Sequence, residues 1–339
     1  MSGHATRRDI AIVTGGAGFI GSHMVDLLLE EGFEVRVIDN LVGGRLANLA
    51  HRKGESRLTV DTRDVRTLGP ADALFSGARF VFHFAGIGDI VPSIDKPTEY
   101  MAANVQGTVR TLECARHAGV EKFVYAASSS CYGITKELPT TESALLEPEY
   151  PYALSKLLAE QSVLHWERVY KLPAISIRMF NVYGTRSKTT GAYGAVFGVF
   201  LAQKLAGRPY TVVGDGTQTR DFVYVTDVAR AFYLAAKSSR SGEIYNLGAG
   251  APQSVNRLVD LLGGQVTYVP KRPGEPDCTW ADISKIRSQL DWSPTVSFET
   301  GVGKMLAGID YWREAPVWDP DSIRRATEGW FAAFAGREP

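Results

Sequence analysis

The stretch IAIVTGGAGFIGSHMVDLLLEEG, residues 10–32, narrows what this chain can become more than any other. A β-branched apolar run ends in glycines at positions 15, 18 and 21, and an amphipathic run follows from Ser22 to Glu31. Gly16 adds a second, overlapping G-x-G-x-x-G. The pattern reads as strand, tight loop and helix. Gly15 permits the turn, Gly18 lets backbone approach a ligand, and Gly21 lets the helix pack closely on the strand. A diphosphate would rest at the helix start, beside Phe19 and Ile20, where unpaired N–H groups and the helix dipole favour anions. Asp39 closes the next strand, 18 residues beyond Gly21. That spacing suits a carboxylate accepting both hydroxyls of an adenosine ribose, and it would repel a 2′-phosphate. The expected cofactor is NAD rather than NADP, although Arg45 stands near enough to bear on that choice.

The rest of the first half repeats the alternation. EVRVID, RLTVD, RFVFHFAG, KFVYAASSS and AISIRMFNVYG are short apolar runs separated by polar turns and helix-like stretches. Continuous apolar runs suit strands buried on both faces of a parallel sheet. Helical period is expected in Ser22–Glu31, Thr98–Ala118 and Pro151–Tyr170. The fold class is therefore α/β, a doubly wound parallel sheet of the Rossmann type. From about Arg178 the pattern loosens. Strands such as YTVVGDG and EIYNLGAG alternate with helices near Ala192–Ala206, Ser254–Leu262 and Asp282–Leu290. This implies a smaller C-terminal α/β lobe: residues 1–177 form the cofactor domain, 178–339 the second lobe, and a segment near 221–250 returns to the sheet. Asn40, following Asp39, and Asp64 and Val65, after the third strand, lie where carboxyl ends of strands face a ligand, with Asp64 placed to meet an adenine amine. So do Phe84, Ala85 and Gly86 after the fourth. His83, inside an apolar strand, reads as structural rather than catalytic.

Bulk composition excludes several classes. Across 339 residues the formal charge is zero, so no nucleic-acid-binding tail is expected. No apolar run is long enough to cross a membrane, and MSGHATRRDI lacks the apolar core of a secretory signal. Three scattered cysteines, Cys114, Cys131 and Cys278, fit neither a disulfide framework nor a zinc site. A reducing cytoplasm and no metal are expected.

Reaction chemistry points to SSSCYG, residues 128–133, and YALSK, residues 152–156. Tyr152 and Lys156 are four apart and project from one helix face. Tyr132/Lys136 and Tyr233/Lys237 share the spacing, but only Tyr152 opens a helix after a strand that ends in hydroxyls. A phenol of pKa about 10 is a poor base at neutral pH. A neighbouring ammonium and a positive nicotinamide would favour its phenolate. Tyr152 could then take a proton from a sugar hydroxyl as hydride leaves the carbon, with Ser128 holding the substrate oxygen.

TGGAGFIGSH, NVQGT, YALSK, RMFNVYG, GDGTQTRDFVYVTDVA and RPGE, in this order over nearly the whole chain, resemble the extended short-chain dehydrogenase/reductases. The likeness is to the NAD-dependent nucleotide-sugar epimerases and dehydratases. It implies tightly held NAD, with Asn104 of NVQGT among the cofactor residues, a nucleotide-sugar lobe, and a homodimer through the helices near Thr98–Ala118 and Pro151–Tyr170. It gives Asn181, Arg220 and Arg272 as substrate-diphosphate residues and lays backbone of GAYGAVFG, at Ala195 and Val196, against a uracil. Thr279, before WAD, takes the position that gates hexose size. Arg186 and Lys188 lie in a loop that could meet a sugar carboxylate, although lone loop cations more often face solvent. In the 4,6-dehydratases an Asp-Glu pair follows the catalytic Ser or Thr; the nucleotide-sugar decarboxylases share the Glu. Here Ser129 and Ser130 stand there as substrate-side hydroxyls, and neither can replace a carboxylic acid. The expectation is a UDP-sugar 4-epimerase acting on a hexose, N-acetylhexosamine or hexuronate, with dehydration or decarboxylation the alternative.

Overall fold

The computed structural model describes residues 9–188 and 196–336. Its central sheet has seven parallel strands in the order β3-β2-β1-β4-β5-β6-β11. These are β1 Ile10–Thr14, β2 Glu34–Ile38, β3 Leu58–Asp61, β4 Ala78–His83, β5 Lys122–Ser128, β6 Ala174–Met179 and β11 Glu243–Leu247. Every residue of β1 is buried. Helices on both faces explain why such strands carry no polar alternation. On one face α1 (Phe19–Glu30) contributes Met24, Val25 and Leu28 to a core shared with Val228 and Phe232 of α6 (Val225–Lys237). On the other, Leu112 and Cys114 of α3 (Gly107–Ala118) meet Ala159 and Val163 of α4 (Pro151–Tyr170).

The helix expected over Thr98–Ala118 is interrupted. It runs as α2 (Pro97–Tyr100), a wide π turn at Met101–Gln106, then α3. Wide turns of this kind tend to sit at functional sites, and this one carries Asn104. The strand order reverses between β1 and β4, which opens the cleft at the carboxyl ends of those strands.

The second core gathers around α5 (Val196–Leu205), α7 (Val255–Leu262) and α9 (Phe298–Ala307). Short strand pairs knit it together. β7 (Asn181–Tyr183) pairs with β10 (Phe222–Tyr224), β8 (Tyr210–Val213) with β13 (Val266–Val269), and β9 (Thr219–Arg220) with β12 (Gln253–Ser254). After β10 the chain returns through α6 and adds β11 to the sheet edge beside β6. α8 (Ser284–Leu290) follows, and α10 (Pro320–Ala333) ends the described chain. Neither α9 nor α10 is among the helices expected from sequence.

Candidate active site

The glycine loop is as tight as its spacing implies. Gly15 has φ +70°, and a Cβ there would lie 2.8 Å from the Ala85 nitrogen. A Cβ on Gly21 would lie 2.1 Å from the Gly15 oxygen. No side chain caps α1, so its first N–H groups, at Phe19 and Ile20, stay free for a diphosphate. The cleft therefore fits the dinucleotide. Asp39 is buried, and its carboxylate accepts from Ala17 N at 2.9 Å and Leu41 N at 2.8 Å. It ties the glycine loop to β2, a duty beyond the ribose contact its position suggested. Burial pushes its pKa up, and those N–H donors oppose the rise.

Asn40 donates to Asp64 at 2.8 Å, and the Arg66 guanidinium holds the Asp64 carboxyl down at about 2. Val65 is buried beneath Gly107. Phe84 packs on Phe232, while Ala85 N donates to the Thr14 hydroxyl. The Asn104 amide is engaged internally. It accepts from Ile87 N at 2.7 Å and donates to Ile87 O and Ser155 Oγ, bracing the loop after Gly86 against α4. His83 lies fully buried between the Thr14 and Thr108 hydroxyls and is pushed down to about 3 by burial, a structural residue as its strand context implied.

Ser128 meets Tyr152, and Lys156 stands one turn further along α4. Ser128 ends β5 in extended conformation; its hydroxyl lies 2.8 Å from Ser130 Oγ and favours the Tyr152 phenolate. Pro151 at the first helical position and extended Tyr150 before it place Tyr152 in the opening turn of α4. Lys156 follows one turn later, 9% exposed, with Nζ 4.5 Å from the Tyr125 ring centre.

The electrostatics differ from the sequence expectation. Burial pushes the Tyr152 phenol up, and the Ser128 hydrogen bond only partly offsets that. Burial also pushes Lys156 down to about 7, against the pull of the Glu160 carboxylate. Burial of both groups opposes the phenolate that their spacing would favour.

On the substrate side, Thr279 Oγ1 donates to Asn181 Oδ1 at 2.8 Å, joining two residues 98 positions apart. Arg220 is pushed down, first by burial, with the neighbouring Arg272 adding to the shift against the pull of Glu275. Arg272 pairs with Glu275 at 3.0 Å. Two guanidiniums this close in a buried place suit an anion spanning them. Val196 heads α5; Ala195, with most of GAYGAVFG, lies outside the described residues. Arg186 and Lys188 are not free loop cations. Arg186 bonds Asp26 at 2.6 Å and faces α1, and Lys188 is paired with Asp89.

The family model described as the NAD dependent epimerase/dehydratase family matches residues 11–248. The chain belongs to that family. NAD is accordingly its cofactor, and the chain is an enzyme of the epimerase/dehydratase kind. A UDP-glucose 4-epimerase of Mycolicibacterium smegmatis is 35% identical over 308 residues, covering 87% of this chain and 96% of the relative. The structure of UDP-glucuronic acid 4-epimerase from Bacillus cereus, in complex with UDP-glucuronic acid and NAD, superposes with a TM-score of 0.83 at 30% identity, over 89% of this chain and 99% of that one. A dTDP-glucose 4,6-dehydratase from Streptomyces venezuelae, with NAD and TYD bound, matches equally in fold, TM-score 0.83 at 32% identity, over 90% and 99% of the two chains.

Several side chains of this family member were not singled out as site residues from sequence. The Asp89 carboxylate acts on the Tyr152 phenol, and its backbone oxygen accepts from Tyr100 OH at 2.6 Å. Tyr150 stacks on Tyr152, ring centres 6.4 Å apart and planes within 9°. Arg45 lies over the Tyr311 ring at 4.8 Å beside the glycine loop, with Nη2 buried and without a hydrogen-bond partner. Phe19, Gly43, Gly44 and Arg186 complete that recess. No local pattern marks Asp89, whereas Phe19 and Arg45 were legible beside the glycine loop and Tyr150 before the helix that carries Tyr152.

Proposed function

We propose that the chain is an NAD-dependent UDP-sugar 4-epimerase. One observation carries the choice within the family: serines occupy 129 and 130, where dehydration would call for carboxylic acids, and the Ser130 hydroxyl bonds Ser128. Among the described residues the carboxylates that act on the trio are Asp89, occupied by Lys188, and Glu160, occupied by Arg178 behind Lys156.

When bound, NAD would supply reversible hydride transfer with the sugar carbon. Tyr152 takes the proton of the 4-hydroxyl, and Ser128 holds that oxygen and passes the hydrogen bond along to Ser130. Lys156 lies one turn behind to compensate negative charge on the phenolate. Once the sugar has turned over in the site, Tyr152 would give the proton back to the C4 oxygen. Asn181, Arg220 and Arg272 hold the nucleotide diphosphate, and Thr279, bonded to Asn181, borders the hexose. The substrate class is a UDP-hexose, UDP-N-acetylhexosamine or UDP-hexuronate.

Incubation with a panel of these sugars, followed by product NMR and mass measurement, tests the proposal. The C4 epimer at unchanged mass is expected. Loss of water or carbon dioxide would instead establish the dehydratase or decarboxylase reading.

The same reading includes a homodimer through the 97–118 segment and α4, where Val169 and Tyr170 are about half exposed (49% and 46%). Light scattering tests it. Cytoplasmic location, checked by fractionation, and the division at residues 177/178, checked by limited proteolysis, belong to it as well.

A further inference from the structure

α10 begins with an Asp319 capping box and Pro320 in its first turn. It then carries Trp330 and, just past its end, Phe334, both buried. These side chains join Val91 in a small core with Ile90, Ile94 and Tyr150 packed against it. The Trp330 ring lies 5.2 Å from that of Tyr150, which stacks in turn on Tyr152. Trp330 Nε1 donates to the Pro273 oxygen at 2.8 Å. Phe334 backs the next residue: a Cβ on Gly274 would lie 3.0 Å from its ring. One helix thus touches the residue that stacks on the reacting phenol and the loop that carries Arg272.

We propose that Trp330 is a positioning residue with two separable duties. Its ring holds Tyr150 against Tyr152, and its N–H holds the 272–275 loop so that Arg272 faces the nucleotide diphosphate. The proposal rests on Tyr152 being the base, as argued above. Tyr150 has a further link to the reaction centre: the Ser130 hydroxyl acts on its phenol, and Ser130 bonds Ser128. A slack pile would therefore disturb two members of the trio together. Displacements of about 1 Å can cost about a hundredfold in rate.

Two substitutions separate the duties. Trp330→Phe keeps an aromatic ring and removes the donor. It should leave kcat within about twofold of wild type and weaken UDP binding and KM by about fivefold, the worth of one neutral hydrogen bond. Trp330→Ala removes both, and should add a fall in kcat of at least about tenfold per NAD-loaded site. Turnover is normalised to bound NAD, so that misfolded protein is not counted, and UDP affinity is read by calorimetry without turnover. A merely structural tryptophan would lower melting temperature in both variants with kcat per loaded site and UDP affinity unchanged, and that result overturns the proposal. So does a Trp330→Phe variant that loses kcat as fully as Trp330→Ala. A wild type that binds UDP but epimerises no UDP-sugar would reject the function instead, while the calorimetric comparison still decides the role of α10.

Discussion

Lys156 Nζ lies 4.5 Å from the centre of the Tyr125 ring, one helical turn along α4 from Tyr152. Burial pushes this lysine down to about 7. A lysine of the unfolded chain keeps a pKa near 10.4. Between those values the unfolded state holds a proton that the native state lacks, so stability rises with pH across the window. Below about 7 the cost of burying the charge is present in full, on the order of several kcal/mol for a shift of this size. Lys156→Met in cofactor-stripped protein should therefore raise the melting temperature at about pH 6, and the gain should shrink towards about pH 9.5. Melting curves at both pH values check it. A variant no more stable than wild type at the lower pH would show that the buried ammonium carries no such cost.

Tyr152→Phe removes the phenol proposed to move the proton and leaves the ring edge-on to Tyr100 and stacked on Tyr150. General acid–base groups contribute about 10²–10⁴-fold, and a loss at the upper end of that range is expected in kcat. NAD content should match wild type, since the glycine cradle is untouched. Steady-state assay and cofactor release by denaturation measure both. Near-normal turnover would remove Tyr152 from the mechanism.

Much of this was visible in the chain because it is written in local periods. β1 and β5 are continuous apolar runs because helices cover both faces of the sheet. The Tyr152/Lys156 pair is one helical turn, and the Gly15–Gly21 loop is a fixed local geometry. What escaped reading are relations between distant segments. Lys188 and Asp89 are 99 positions apart, and nothing near either residue announces the other. The protonation states escaped for a related reason. Spacing reports that a lysine and a tyrosine share a face, but only the packed structure reports how thoroughly Tyr125 and its neighbours desolvate them. α10 did carry a signal. Asp319 and Pro320 mark a start, and Ile323, Thr327, Trp330 and Phe334 recur at helical intervals. Its contact with the catalytic pile could not be read from that stripe.

Burial penalises the Arg220 charge in the ligand-free protein, and the neighbouring Arg272 charge adds to that penalty. Replacing Arg272 with alanine should weaken UDP binding by about 10–100-fold, the range for charge-assisted hydrogen bonds. Relief of the like-charge contact should leave the melting temperature of the ligand-free enzyme unchanged or slightly higher. Calorimetry with UDP and a parallel melt separate the effects. Lower stability with unaltered UDP affinity would assign Arg272 to the fold rather than to the diphosphate.

Asp89 is the acidic residue whose charge reaches the Tyr152 phenol, and Lys188 holds its carboxylate. A neutral hexose can enter with that ion pair intact. A hexuronate brings a second carboxylate that Asp89 repels and that must compete for Lys188. Wild-type kcat/KM should therefore favour UDP-glucose or UDP-galactose over UDP-glucuronate. Asp89→Asn frees Lys188 and removes the repulsion, and should narrow that ratio by about tenfold or more, equivalent to about 1.4 kcal/mol. The same substitution removes a negative charge that opposes phenolate formation, so the acidic limb of the pH–rate profile should move to lower pH. A sugar panel assayed across pH with both proteins measures the two effects. An unchanged preference together with an unmoved limb would show that Lys188 already neutralises Asp89, leaving the pair no part in choosing the sugar.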